Sequence, residues 1–265
     1  MALAPPHPVF IPPQDADGFI WRYTDLAKLL SVLDRSALFF PRLDKLEDPF
    51  EGYYTKSILA FERLSFEDLP EELKGQIPNE QAFKNVVGNH RQMHEFAKNQ
   101  REITFVNSWY CNQHESAAMW SQYLKTSEGI AIRSSYKRLT ESLSRYDEYE
   151  VHVGMVNYID YEHEKIPVGN IIAPTIYKRK SFEHERELRA VIWTMEHGKN
   201  DWGTGNKLKD VRGLYVPIEV PSLIERIYIT PTAPDWVRDL ITSLLKRFGF
   251  AIPVVQSSLA EAPLY

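Results

Sequence analysis

The chain has 265 residues, 43% hydrophobic and 12% aromatic, enough apolar surface to close a sizeable core without metal or disulfide staples. Its single cysteine, Cys111, excludes an internal disulfide and a thiolate zinc cluster and fits a reducing, cytoplasmic setting. A formal charge of −5 disfavours nonspecific binding of duplex DNA, which takes a basic surplus, and leaves room only for a local basic patch.

Residues 1–18 hold five prolines and no Lys or Arg. They read as an extended, poorly ordered leader that lacks the basic start of a signal peptide. No run of about 18 apolar residues occurs, so no membrane span is expected. The rest, 19–265, reads as one α+β domain. Its sheet is mixed and mostly antiparallel, short helices flank it, and a helical insertion falls at about 54–102.

In chain order, "GFIWRYT" predicts a strand, and "DLAKLLSVLDRS" a helix with leucines at helical spacing. "ALFFPRL" predicts a second strand, which together with the helix suggests one helix packed on a sheet. "DKLEDPFEGYY" has turn signals in Asp48-Pro49 and Gly52 and reads as a solvated turn. "ITFVNSWYC" returns to strand pattern, "ESAAMWSQYL" is a short helix and "GIAIRSS" another strand. "YKRLTESLSRY" follows it, then "EVHVGMVNYIDY", one long β-rich run, and a mixed segment ending in "PTIYKRK". "ELRAVIW" predicts a buried strand. A Gly/Asn/Lys-rich loop precedes "GLYVPIEV" and "IERIYITP". "APDWVRDLITSLLKRFGF" is an amphipathic helix stopped by Gly249, and "AIPVVQSSL" an edge strand.

Three constellations carry chemistry. If "HERELRAVIW" is a strand, alternation puts Glu185, Glu187, Arg189 and Val191 on one face. Glu187 and Arg189 then stand where the strand enters the core, as a structural ion pair or as a ligand-binding acid held by an arginine. In "WRYT", Arg22 inside an apolar strand needs an anion or carbonyls, either from a ligand or from an acid of this chain such as Glu187; Tyr23 points to the other face. In "NSWYCNQHESAAMWSQYL", Ser108 and Tyr110 alternate with Trp109, and Trp120 and Tyr123 lie one helical turn apart, as core or as a stacking platform. His114-Glu115 lacks the second histidine of a zinc-protease motif, Ala118 standing there. Asp44, Glu47, Asp48 and Glu51 lack calcium-loop spacing. The Gly203 to Gly205 loop lacks a preceding strand and a Lys-Ser/Thr ending, so it is not a phosphate loop.

The ordered set "FIWRYT", "LFFPRLDKLEDPFEG", "SAAMWSQY", "GIAI", "VNYIDY" and "KSFEHERELRAVIW" resembles a widespread bacterial family of unknown function over most of the chain. Its members carry an R-Y strand, a D-P-F-E-G turn, an A-A-M-W-x-x-Y helix and an E-x-E-x-R strand. The order of elements is also similar to the ADP-ribosyltransferase superfamily, with "NSWY" standing where that superfamily has S-T-S. That second resemblance implies NAD as a substrate. It places Arg22 and Tyr23 in the first motif, Ser108, Trp120 and Tyr123 in the second, and Glu185 or Glu187 in the third. By the same resemblance Glu187 bridges to the nicotinamide ribose and Glu185 orients or deprotonates the acceptor; Arg189, as the arginine that holds the acid, is placed with the cofactor-binding residues.

The function so implied is an ADP-ribosyltransferase-like enzyme acting on a protein or nucleic-acid acceptor, in the manner of a toxin or phage-defence effector. Two other readings stand beside it. One is a non-catalytic binding or immunity module whose charged set is structural. The other is a metal-dependent nuclease using Asp44, Asp48 and Glu51.

Overall fold

The computed structural model describes residues 7–61, 63–123, 128–167, 169–194 and 210–260. Strand β1 (Phe19–Thr24) leads into helix α1 (Leu26–Arg35), which Asp25 caps by accepting from the Lys28 amide at 2.8 Å. Leu29, Val32 and Leu33 turn inward from α1, and Ser36, in the left-handed conformation, ends it before β2 (Ala37–Pro41). After β2 come α2 (Lys56–Phe61), α3 (Glu71–Lys74) and α4 (Glu80–Gln100), the last capped by Asn79. Phe83 and Val87 pack with Leu69 into a small core of their own, while Ala97 joins Tyr54, Ile159 and Tyr161 nearer the sheet.

Next come β3 (Thr104–Cys111), α5 (Ala117–Tyr123), β4 (Ile130–Ser135), α6 (Tyr136–Leu143), β5 (Val151–Met155), β6 (Asn157–Ile159), β7 (Tyr177–Arg179) and β8 (Glu187–Trp193). The chain closes with β9 (Gly213–Pro217), α7 (Val220–Leu223), β10 (Arg226–Ile229), α8 (Asp235–Arg247) and β11 (Val254–Gln256). Seven strands form one sheet in the order β11-β10-β4-β1-β3-β8-β5. Every neighbouring pair is antiparallel except β10 and β11. The fold is therefore α+β with a mostly antiparallel sheet, as the sequence leads one to expect.

Alternation gives this sheet two unlike faces. Ile20, Trp109, Ile132, Leu188, Ala190, Ile192 and Ile227 point to the first, where Leu29 and Leu33 of α1, Leu139 of α6 and Val237, Ile241 and Leu245 of α8 complete the main core. Each fully buried aliphatic chain here contributes about 1.5–3 kcal/mol. Phe19, Trp21, Tyr23, Ser108, Tyr110, Arg133, Glu187 and Arg189 point to the second face, as the cross-strand register dictates.

Four expectations are corrected. Strand β2 does not join the main sheet: it pairs with β9 and lies over β3, where the Asn107 amide donates to the Phe39 carbonyl at 2.9 Å. The long run 150–161 breaks at Val156, whose amide donates to the Glu187 carbonyl (2.8 Å), so that β5 stays in the sheet and β6 pairs with β7. The 3-10 helix Lys180–Glu185 and Arg186, at φ 38° and ψ 51°, occupy the start of the supposed strand, and β8 begins only at Glu187. The leader is tied down from Phe10 onward. Phe10 is buried, and the Ile11 carbonyl accepts from the Met155 amide at 2.8 Å, closing the β5 edge. The 195–209 loop lies outside the described residues.

The leader comes this close because position 154 has no side chain. A Cβ on Gly154 would sit 2.7 Å from Phe10 Cα, a backbone atom that cannot yield. Gly154→Ala is expected to lower stability by about 1–3 kcal/mol, the range for overpacking, and to expose the leader to protease. Urea denaturation and limited proteolysis check this, and an unchanged midpoint would mean the leader contributes nothing.

Candidate active site

The second face carries a closed set of charges at the start of β8. Glu187 is paired in register with Tyr110 and Arg189 with Ser108, so all four stand on one side of the sheet. Arg189, 0% exposed, grips Glu187 through Nε (2.7 Å) and Nη2 (2.9 Å), and its Nη1 donates to Glu51 Oε2 and the Thr175 carbonyl, both at 2.8 Å. The Ser108 hydroxyl donates to Glu187 Oε1. Lys178, from β7, lies among three acids: 2.5 Å from Glu185, 3.2 Å from Glu51 and 3.3 Å from Glu187.

Burial would push the Glu187 carboxyl up, but the Arg189 and Lys178 charges overcome it and hold the group at about 2. Burial acts the other way on Lys178 and Arg189, and the surrounding carboxylates overcome it, raising both above their ordinary values. The set of three carboxylates and two cations carries one surplus negative charge when all are ionised. Glu187 takes four donors, which fills its lone-pair sites. Glu185 is less encumbered: apart from Lys178, among the described residues it meets the Gln122 amide, at 3.4 Å.

Beside this set stand the aromatics. Tyr23 packs edge-on against Trp120 with ring centres 5.1 Å apart, and its oxygen accepts from the Ser116 amide at 2.7 Å. Burial pushes its hydroxyl pKa up. Trp120 donates to Glu115 (2.9 Å), which in turn accepts from the Ser258 amide and hydroxyl, so α5 is clamped to the C-terminal segment. Trp21 donates to the Asn112 carbonyl (2.8 Å), and the Asn112 amide donates to Tyr110 Oη (2.9 Å).

The structure thus brings together Glu185, Glu187, Arg189 and Ser108, with Tyr23 and Trp120 on the same face. Arg22 is not among them. In register with Ile132, it sits on the opposite face, where its Nη1 donates to the Ser108 carbonyl at 2.7 Å and its guanidinium carbon lies 6.0 Å from the Trp109 ring centre. Arg189 is wholly buried and bonded within the protein. Tyr123 ends α5, and its side chain lies outside the described residues.

Two members of the site were not foreseen. Lys178 came from the mixed segment, where inward alternation between Tyr177 and Arg179 was the available signal. Glu51 was assigned to a solvated turn and is instead 2% exposed; Asp48 is buried with it and pairs with Arg179 at 2.8 Å. Asp44 pairs with Arg42 at 2.6 Å. The three acids of the nuclease reading are thus spent on different cations, and among the described residues no group of three metal-binding side chains forms.

No family model matches the sequence, and no curated protein matches it. Among solved structures the chain is similar to the Thermus sp. 2.9 DarT. Against that protein in complex with NAD+ the identity is 9%, the match covers 95% of this chain and 100% of the other, and the TM-score is 0.41. Against its complex with ADP-ribosylated ssDNA the identity is 10%, coverage is 93% and 96%, and the TM-score is 0.39. A likeness at these scores assigns no residue a role. No helix among the described residues is long and apolar enough to cross a membrane.

Lys178→Met removes the ammonium from among three buried carboxylates and is expected to destabilise by about 3–5 kcal/mol, the range for breaking a buried pair. Because the folded Glu187 carboxyl is depressed from 4.5 to about 2, its stabilising contribution is present above about pH 4.5 and lost as pH falls toward 2. Urea midpoints at successive pH values check both. The variant's acid transition should move to higher pH, and an unmoved transition would show that Lys178 does not hold Glu187 ionised.

Proposed function

We propose that the chain is a NAD-dependent ADP-ribosyltransferase-like enzyme whose site is the second face of the sheet around Glu187. The observation that carries this reading is the Ser108–Glu187 hydrogen bond, which joins the residues that the resemblance assigns to the middle and late motifs. Tyr23, Tyr110 and Trp120 stand on the same face as aromatic walls for a nicotinamide.

In this reading the bond between nicotinamide nitrogen and ribose C1 breaks, and nicotinamide leaves as a neutral base with the bonding pair. Positive charge develops on the ribose carbon and its ring oxygen, as in glycoside cleavage. Glu187, kept ionised by Arg189 and Lys178, supplies a fixed negative charge to that state without reorganising. A ribose hydroxyl reaches it by taking the place of the half-buried Ser108 hydroxyl. Glu185, whose Oε1 is met by Gln122 among the described residues, accepts the proton as the acceptor nucleophile bonds to C1. Arg189 and Lys178 are positioning residues. A role as a toxin or defence effector belongs to the same proposal.

One observation favours the second reading, a non-catalytic binding module. Glu187 already has its four donors, and Arg189 spends its donors inside the protein, as a purely structural network would. The two readings separate on NAD. Catalysis requires that millimolar NAD raise the melting temperature and that the protein release nicotinamide. Glu185→Gln should cut that release about 100-fold or more while melting as the wild type does. Absence of both the thermal shift and nicotinamide release leaves the binding module.

A further inference from the structure

The sheet register aligns five residues in one cross-strand row on the second face: Glu187 opposite Tyr110, Tyr110 opposite Trp21, Trp21 opposite Arg133, and Arg133 opposite Arg226. The row begins at the candidate catalytic acid and ends in two arginines directly across from each other. Like charges so placed repel, and a sheet does not gain from them unless an anion lies between. Among the described residues Glu225 alone answers the pair: it takes Arg133 Nη2 at 2.6 Å, leaving one positive charge over. Arg226 has no side-chain partner among the described residues, and the Nε atoms of both arginines are buried and unpaired.

Aromatic rings surround these cations. The Arg133 guanidinium carbon lies 4.2 Å from the Phe19 ring centre and 5.5 Å from that of Tyr228, whose hydroxyl accepts from Arg133 Nη1 at 2.9 Å. Phe19, Tyr228, Arg133 and Arg226 are all half-buried, each with surface open to solvent. Trp21 and Tyr110, the middle of the row, are buried beneath Asn112.

We propose that Arg133 and Arg226 bind a backbone phosphate of a single-stranded nucleic-acid acceptor, with Phe19 and Tyr228 as surfaces on which its bases stack. This rests on the reading of Glu187 as part of a NAD site. Arginine forks suit phosphate, and aromatic rings interleaved with cations are the arrangement that tracks a single strand without reading its sequence. Distance separates this phosphate from those of NAD. Arg133 is three strands from Glu187, about 14 Å at the usual inter-strand spacing. The pyrophosphate of a dinucleotide hangs only one ribose from the carbon that reacts at Glu187, well short of that span. The anion at the arginines belongs to a second molecule, and the row leads from it to the reacting centre.

The test uses the full chain and a short, fluorescently labelled single-stranded DNA oligonucleotide, with anisotropy read over a range of salt. Arg226→Gln should weaken binding roughly tenfold, as expected for losing one charge-assisted contact. It should also make the slope of log affinity against log salt shallower by about 0.7, while the thermal shift given by NAD stays unchanged. Arg133→Gln should act in the same direction; if it fails to fold, the half-buried Arg226 variant decides alone. A wild-type chain that does not bind the oligonucleotide, or a variant that binds it as the wild type does, overturns the proposal. So does a variant that loses affinity for NAD instead, since that assigns the arginines to the dinucleotide. Failure of the NAD reading shows separately, as a wild type that NAD does not stabilise.

Discussion

Everything on the second face depends on five charges held out of water at the point where β8 enters the sheet. Burying an ion costs several kcal/mol even after relaxation, and the cost is tolerable here because no member stands alone. Arg189 answers Glu187 and Glu51, and Lys178 answers Glu51, Glu185 and Glu187. The partners come from four separate segments: the turn at Glu51, β7, the 3-10 helix Lys180–Glu185 and β8. The network therefore holds these segments on the sheet as well as fixing the state of Glu187. A surplus negative charge kept in a dry place is useful where positive charge must appear briefly, because nothing has to move to meet it.

Much of the fold could be read from the residues. Short strand-like runs mark β1, β3 and β4, an unbroken apolar run marks β8, which is buried on both faces, and leucine or valine spacing marks α1 and α8, each of which buries one apolar stripe. Partnership between strands was less legible. Nothing local tells β2 to pair with β9, whose residues lie more than 170 positions further on, or tells the run after 150 to divide between two sheets. Both outcomes are set by which backbone groups remain unpaired once the central strands are in place.

The site divides in the same way. Glu187 and Arg189 stand out in the sequence because charged groups at the mouth of an apolar run demand partners, and Ser108 because the resemblance places it in the middle motif. Lys178 and Glu51 do not, since a lysine in a mixed segment and an acid in a turn look solvated until the tertiary fold closes over them. Arg22 shows the opposite failure. Its type suited an anion, yet strand parity turns it to the other face, where it supports the Ser108 carbonyl. Ser108 is thus held by its backbone from one side of the sheet while its hydroxyl works on the other.

Arg186 gives this arrangement its corner. It adopts a left-handed conformation without being glycine, so the chain turns a corner between Glu185 and Glu187 instead of continuing the pleat. Glu187 stands on the sheet and Glu185 at the end of a 3-10 helix, and both reach Lys178 across that corner. Replacements along 180–184 would accordingly leave every rung of β8 and all five charged residues untouched.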